Sequence, residues 1–191
     1  MQPNMDSDGL DFFKNQIIQS HCYLEYGCGG STVYANNTSN VKTIISVDTD
    51  LHYINKVKNI ITTPIDNLHL CHVNLGEVSE WGHPKTALHY KDFYKYSTMP
   101  WQIAKKINAI PDLIFIDGRF RVSCFLYSLV CASIDTIIMF DDYVNRSNYH
   151  IVEEFCKLNK YAGRLGIFVV KKNYSFADLM SVYSEYLSDT A

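Results

Sequence analysis

The stretch that most constrains the fold is 22–31, where a short apolar run ends in Glu25 and three glycines follow within four positions, at Gly27, Gly29 and Gly30. This pattern is typical of a buried strand that runs into a tight turn and then into the N-terminus of a helix. Glycine is needed where the backbone takes a positive φ or lies close to a ligand. Free N–H groups at the start of a helix make such a turn a natural anion site. The sequence therefore predicts a strand–turn–helix unit that receives a ligand.

A second acidic residue follows at a distance typical of nucleoside-binding sheets. The apolar run 44–48 ends in Asp48, about twenty positions after the glycine turn. In an α/β sheet a glycine turn can lie under a phosphate or carboxylate, while an acid at this distance binds the ribose hydroxyls. The dinucleotide fingerprint G-x-G-x-x-G is incomplete here, because Thr32 occupies the third glycine position counted from Gly27.

The form Glu25-x-Gly27-x-Gly29 resembles the first motif of the class I S-adenosylmethionine (SAM) methyltransferases, which often reads E/D-x-G-x-G-x-G. Ser31 stands where that motif has its last glycine, near the expected methionine end of SAM. The resemblance implies SAM as the cofactor and a set of binding residues: Glu25, Gly27, Cys28, Gly29, Ser31, Asp48, Asn74, Trp81 and Asp117. The alternatives are an ordinary turn in an unrelated α/β protein, an NAD-binding Rossmann oxidoreductase and a non-catalytic nucleoside-binding protein.

Strand and helix patterns alternate along the chain. Apolar runs predict strands at about 22–26, 43–47, 68–73, 112–117 and 136–140, and two short strands within 160–172 that fold back at 163–164. Helices are predicted before the first strand, at about 31–36, 50–60, 101–107, 122–133 and 147–158, and from about 175 onwards. Residues 74–100 show no regular pattern. The alternation predicts an α/β, Rossmann-like, doubly wound sheet of seven mostly parallel strands with helices on both faces.

Composition limits the class of protein. The 191 residues fit one methyltransferase domain, in which the polar segment 1–8 is expected to be flexible. Hydrophobic residues make up 47% of the chain, enough for a packed core. The net charge is −3, so the composition gives no sign of the excess of basic residues that binds nucleic acid. The six cysteines show no C-x-x-C spacing and are interpreted as reduced thiols. No signal segment or membrane-spanning run is evident, so we expect a soluble cytoplasmic protein. The sequence is compatible with either a monomer or an oligomer.

Acidic residues also follow the next two predicted strands. Asp117 ends one strand, and the pair Asp141 and Asp142 ends the following one. If the strands are adjacent, three carboxylates meet at one edge of the sheet, and like charges at close range need an opposite charge to offset them. A divalent cation such as Mg²⁺ can supply that charge, because it prefers oxygen ligands. Alternatively, the acids cap helices or pair with nearby arginines, namely Arg119, Arg121 and Arg146.

An Asp after one strand and an Asp-Asp pair after the next are similar to the metal triad of the magnesium-dependent O-methyltransferases, of the catechol and macrocin types. The resemblance implies that Asp117, Asp141 and Asp142 bind Mg²⁺ or Mn²⁺. It also implies metal-assisted methylation of a sugar or glycan hydroxyl, since the macrocin type carries Asp-Asp, with a phenol or another small molecule as the alternative acceptor. The lysine that acts as the base in the catechol type is replaced by Phe120. The same motifs also resemble small bacterial and viral methyltransferase-like proteins.

A base is still required, and histidines are the candidates. His83, in the irregular stretch, is the first candidate, and His150, just past the metal acids, is the second. Weaker candidates are His69, His72 and His89. Arg119 and Arg121 either orient the acceptor or neutralise the acids. Trp81 either covers the adenine or the acceptor, or packs in the core.

Overall fold

The computed structural model describes residues 1–191 and contains one seven-stranded sheet. Its strands are β1 (Cys22–Tyr26), β2 (Thr43–Asp48), β3 (Asn67–His72), β4 (Leu113–Ile116), β5 (Ile137–Phe140), β6 (Leu158–Ala162) and β7 (Leu165–Val169). The order across the sheet is β3-β2-β1-β4-β5-β7-β6. The first five strands are parallel, and β7 runs antiparallel to both β5 and β6. The structure confirms the predicted Rossmann-like, mostly parallel sheet.

Six α-helices surround the sheet: α1 (Ser7–Ile17), α2 (Gly30–Asn36), α3 (Leu51–Ile60), α4 (Tyr94–Lys106), α5 (Arg121–Cys131) and α6 (Phe176–Glu185). Four 3₁₀ helices complete the regular structure: Glu80–Gly82, Tyr90–Asp92, Ser147–Glu154 and Tyr186–Ser188. No helix has both the length and the apolar character needed to cross a lipid bilayer.

The core lies on both faces of the sheet because side chains alternate along each buried strand. On β1, Leu24 and Tyr26 pack with the residues of α4, α5 and α6, whereas Tyr23 packs with those of α1 and α2. All five residues of β1 are buried. Such two-sided burial explains why the central strands are continuous apolar runs rather than alternating ones.

The register of the central strands brings their carboxyl ends to one edge. Tyr26, the last residue of β1, pairs with Val47 of β2 and with Ile116 of β4. Ile116 pairs in turn with Phe140, the last residue of β5. The residues that follow these strands therefore share one edge, where ligands bind in open parallel sheets.

The start of α4 differs from the prediction. This helix begins at Tyr94, inside a stretch expected to be irregular, and continues through Pro100. Tertiary packing fixes it, because the buried ring of Tyr96 lies 6.1 Å from that of Tyr26 and 5.5 Å from that of Phe120. These aromatic contacts join residues that are distant in sequence, so no local pattern indicates them.

The helix predicted at about 147–158 is wrong in type and in its end. The chain forms a 3₁₀ helix over Ser147–Glu154, and β6 already begins at Leu158. Residues three apart face the same side of a 3₁₀ helix. Tyr149 and Val152 have this spacing, and both are completely buried against the core.

The first residues of the chain contact the strand hairpin at the other end of the sequence. One carboxylate oxygen of Asp6 accepts a hydrogen bond from the Gly9 N–H at 2.8 Å, which caps α1. Its other oxygen accepts from the Arg164 N–H at 2.7 Å, and the Arg164 side chain donates to the Asn4 carbonyl at 2.6 Å. Within segment 1–8, which the sequence predicts to be flexible, Asn4 and Asp6 are hydrogen-bonded to the β6–β7 turn.

Candidate functional site

A cavity of about 560 Å³ opens at the carboxyl ends of β1, β2, β4 and β5. This volume is in the range of small-ligand sites. Ten of the fourteen residues predicted to act in catalysis or to bind SAM or the metal line it: Gly27, Cys28, Gly29, Ser31, Asp48, Trp81, His83, Asp117, Arg119 and Asp142. Four others lie outside its wall: Glu25, Asn74, Asp141 and His150. The sheet topology thus assembles most of the predicted site from segments that are far apart in sequence.

The glycine turn after β1 is fixed by a close approach to the turn after β4. Gly27 has φ +93°, which side chains other than glycine rarely adopt. A Cβ atom at this position would lie 2.8 Å from the Cα atom of Gly118. Glycine is therefore required at Gly27 by both conformation and space. Gly29 is different, because a Cβ atom there would meet nothing nearer than the Tyr53 hydroxyl at 3.6 Å.

Glu25 lies beneath the turn and is completely buried. Its carboxylate accepts hydrogen bonds from the hydroxyls of Tyr23 at 2.9 Å and Ser46 at 2.7 Å, and also from those of Ser31 and Thr32. Burial raises the pKa of Glu25, and the hydroxyl donors oppose this shift. In this arrangement Glu25 holds the residues of the turn rather than facing the cavity.

Thr32 explains why the dinucleotide fingerprint is interrupted. Its hydroxyl donates to Glu25 at 2.5 Å and accepts from the Gly29 N–H at 2.8 Å. The side chain therefore links the buried acid to the turn, which a glycine at this position could not do. In the sequence Thr32 is only a missing glycine; in the structure it holds the N3 position of a capping box, where its side chain accepts from the N-cap N–H.

Asp48 faces the cavity at the end of β2. One of its oxygens accepts from the Cys28 N–H at 3.1 Å and the other from the Asp50 N–H at 2.9 Å. Burial raises the pKa of its carboxyl, and these backbone donors oppose the shift. Because each carboxylate oxygen can accept more than one hydrogen bond, Asp48 retains the capacity to bind a ligand hydroxyl.

Trp81 lies at the rim of the cavity with 78% of its surface exposed, so the alternative that it packs in the core is wrong. It has φ +61° and lies in a loop held by a 2.6 Å hydrogen bond from the Thr49 hydroxyl to the Gly82 carbonyl. Asn74 is exposed and accepts from the Gly76 N–H at 3.0 Å.

The three acids after β4 and β5 lie among arginines. Asp141 is completely buried and forms a bidentate pair with Arg164, with N–O distances of 2.7 and 2.6 Å. Asp117 lies 3.2 Å from Arg121. Burial, followed by the charge of Asp141, raises the pKa of Asp117 well above its usual value, and Arg121 opposes this.

Asp142 is shared by three guanidinium groups. Its oxygens lie 3.0 Å from Arg146, 3.3 Å from Arg121 and 3.4 Å from Arg164. Arg121 is itself buried and donates to the carbonyls of Gly118 at 2.9 Å and Asp141 at 2.8 Å. The alternative that arginines pair with these acids therefore describes the structure, with Arg164 added to the set.

The predicted Mg²⁺ or Mn²⁺ site does not fit this geometry. No group of three or more His, Cys, Asp or Glu side chains is arranged to hold a metal ion. Each of Asp117, Asp141 and Asp142 has a guanidinium within 3.2 Å, so the charge that a cation would offset is already offset. Arg164 could not be identified from sequence, because it lies in the β6–β7 hairpin and has no acidic partner near it in the chain.

The two candidate bases lie in different places. The Nε2 atom of His83 contacts the Arg119 guanidinium within the cavity. Burial, followed by the charges of Arg119, Arg146 and Arg121, lowers the pKa of His83 below its ordinary value of 6.5. The Nε2 atom of His150 instead lies 3.1 Å from the Tyr143 carbonyl, and its ring stacks 4.7 Å from that of Tyr143. None of the weaker candidates lines the cavity: His69, His72 and His89.

Comparison with solved structures finds methyltransferases. The chain superposes on a methyltransferase-like protein from Silicibacter pomeroyi with a TM-score of 0.89 and 26% identity, covering 98% of this chain and 97% of that one. A candidate caffeoyl-CoA O-methyltransferase from Staphylococcus aureus has a TM-score of 0.61 and 14% identity, with 89% and 86% of the two chains covered. The N-methyltransferase NodS from Bradyrhizobium japonicum, solved with S-adenosyl-L-homocysteine, has a TM-score of 0.50 and 11% identity, with 86% and 89% covered.

These similarities assign the chain the fold of the methyltransferases. No protein-family model matches the sequence, and no curated protein matches it either.

We predict that Gly27→Ala lowers the free energy of unfolding by about 2 kcal/mol or more, because a Cβ atom there meets backbone and the φ is unfavourable. Gly29→Ala is the matched control and should change it by less than about 0.5 kcal/mol, since its space is open. Urea unfolding of both variants measures the difference. Equal losses would show that the approach of the two turns does not require glycine.

Proposed function

We propose that the protein is a SAM-dependent O-methyltransferase that methylates a hydroxyl of a sugar or glycan. The observation that carries the proposal is one cavity lined both by the Gly27 turn and Asp48 and by the contacting pair His83 and Arg119. The methyltransferase fold supports SAM as the methyl donor. The sugar acceptor rests on the resemblance of the Asp-Asp pair to the macrocin type, and a phenol is the alternative acceptor.

Two groups of residues that line the cavity have different chemistry. Gly27–Gly29 and Asp48 offer a backbone turn and a carboxylate, which suit the amino-acid and ribose parts of the donor. His83 and Arg119 offer a neutral imidazole and a cation, which suit an acceptor that must lose a proton. Donor and acceptor can thus bind in the same cavity.

The proposed reaction is an in-line displacement. The acceptor hydroxyl oxygen attacks the methyl carbon of the sulfonium, an O–C bond forms, and the C–S bond breaks with its electron pair going to sulfur. The hydroxyl proton passes to Nε2 of His83. Holding the two reacting atoms about 3 Å apart supplies much of the rate enhancement, because orientation replaces a random encounter.

Metal assistance, which the resemblance implies, is not part of this mechanism. The acids that would hold the ion are paired with Arg121, Arg146 and Arg164. A lowered pKa keeps His83 unprotonated near neutral pH, so a neutral base is available within the cavity.

We predict that the protein binds S-adenosyl-L-homocysteine and not NAD, and that Asp48→Ala weakens this binding about ten- to hundred-fold. The reason is that hydrogen bonds to a charged group contribute about 1.5–3 kcal/mol each. Isothermal titration calorimetry measures both ligands. Asp66→Ala, at an exposed position outside the cavity, should bind like the wild type. Binding of NAD alone would identify the chain as a dinucleotide-binding protein instead.

We predict that His83→Gln lowers the rate of methyl transfer by about a hundred-fold or more. Binding of S-adenosyl-L-homocysteine should be unchanged, because only the proton acceptor is lost. The assay uses labelled SAM with a panel of sugars, glycans and phenols. Since the base must be unprotonated, the rate should be constant at high pH and fall only below about pH 6.5. A large loss of methyl-transfer rate in His150→Gln, with no loss in His83→Gln, would identify His150 as the base instead.

Metal removal gives a separate test. We predict that EDTA leaves methyl transfer within about two-fold of its starting rate, because guanidinium groups already neutralise Asp117, Asp141 and Asp142. The measurement is the same labelled assay before and after dialysis against EDTA. Loss of activity that added Mg²⁺ restores would instead support the metal-assisted reaction implied by the resemblance.

A further inference from the structure

Arg119 differs from the other arginines of the cavity. Arg121, Arg146 and Arg164 each lie within 3.2 Å of a carboxylate, whereas Arg119 makes no ion pair. Only 7% of its surface is exposed, and its Nε atom is buried without a hydrogen-bond partner. Its one side-chain hydrogen bond is with His83.

A buried guanidinium without an anion is costly. Removing a charge from water without pairing it costs several kcal/mol, so buried charges are normally paired. Asp117 and Asp142 line the same cavity but do not pair with Arg119, because they face Arg121 and Arg146 instead. Since Arg119 lines the cavity, a ligand that enters the cavity can provide the missing anion.

We infer that Arg119 binds a carboxylate or phosphate group of the acceptor, which makes the substrate an anionic hydroxy compound. A guanidinium presents parallel N–H donors that match the oxygens of either group. This inference rests on the proposed function, since His83 would take the proton from the acceptor hydroxyl. The contact between Arg119 and His83 therefore places the anion beside the reacting oxygen.

Anion binding would also release the base. In the structure, an N–H of Arg119 points at Nε2 of His83, the atom that must accept the proton. An anion that takes the donors of Arg119 frees this nitrogen. Only an acceptor carrying the anionic group would then be methylated efficiently, which gives Arg119 a role in specificity.

The methyl donor is a second source of an anionic group for Arg119, because SAM carries a carboxylate of its own. The alternative is therefore that Arg119 binds the amino-acid end of the donor. S-adenosyl-L-homocysteine has this carboxylate and 5′-methylthioadenosine does not, so the two ligands distinguish the alternatives. If Arg119→Met weakened binding of the first ligand and not of the second, the acceptor assignment would be overturned.

The first test measures stability without ligand. We expect the melting temperature of Arg119→Met to equal or exceed that of the wild type, because the substitution removes an unpaired buried charge. Arg121→Met is the matched control. Its melting temperature should be several degrees lower than that of the wild type, since the substitution removes an ion-pair partner of both Asp117 and Asp142. A decrease in Arg119→Met as large as that in Arg121→Met would show that Arg119 serves the fold.

The second test measures anion binding with inorganic phosphate and with benzoate. At equal ionic strength, each should raise the melting temperature of the wild type above its value in sodium chloride. Arg119→Met should weaken this binding about ten- to hundred-fold, Arg119→Lys should retain part of it, and the exposed Lys58→Met should retain all of it. No phosphate or benzoate effect on the wild type, or an equal effect on Arg119→Met, would refute the inference. Neither test uses SAM, so failure of the proposed methyl transfer remains separately detectable.

Discussion

The ends of β4 and β5 bring three carboxylates together, and the site exists in this form only because guanidinium groups neutralise them. Asp141 is completely buried, and without the bidentate pair with Arg164 its charge would be strongly destabilising. Arg121 extends the same network, since it contacts Asp117 and Asp142 and also hydrogen-bonds two backbone carbonyls of the turns. The network thus fixes both the charges and the backbone at this edge of the sheet.

The partners in this network come from separate parts of the chain. Arg121 begins α5, Arg146 precedes a 3₁₀ helix, and Arg164 lies between β6 and β7. Arg164 also donates to the carbonyl of Asn4, so the first residues of the chain are tied to the same edge. Arg119, in contrast, makes no ion pair and contacts His83 within the same cavity.

A second network holds the glycine turn after β1. Glu25 accepts hydrogen bonds from four hydroxyls, and two of these belong to Ser31 and Thr32 at the start of α2. The acid is therefore a positioning residue for the glycine turn, and its burial explains why it does not face the cavity. In both networks a buried carboxylate is compensated, by four hydroxyls at Glu25 and by the Arg164 guanidinium at Asp141.

Much of the fold followed from local patterns. Apolar runs fixed the strands, and the acids at their ends indicated which edge would form the site. Where prediction was wrong, packing between distant residues decided the result: Tyr96 fixed α4 through Tyr26 and Phe120, and Tyr149 and Val152 favoured a 3₁₀ helix. Trp81 could not be placed from its sequence context, because a tryptophan suits a core and a cavity rim equally well.

The sequence by itself determined the strand–turn–helix unit, the alternation that produces a parallel sheet, and the presence of acids at the strand ends. These features depend on side-chain periodicity and on the conformational freedom of glycine, which act within a few residues. Only the tertiary structure decided how the charges pair. Coulombic pairing depends on distance in space, and the guanidinium of Arg164 reaches Asp141 from 23 positions away in the chain. The same dependence leaves Arg119 without an anion, although it stands two positions from Asp117.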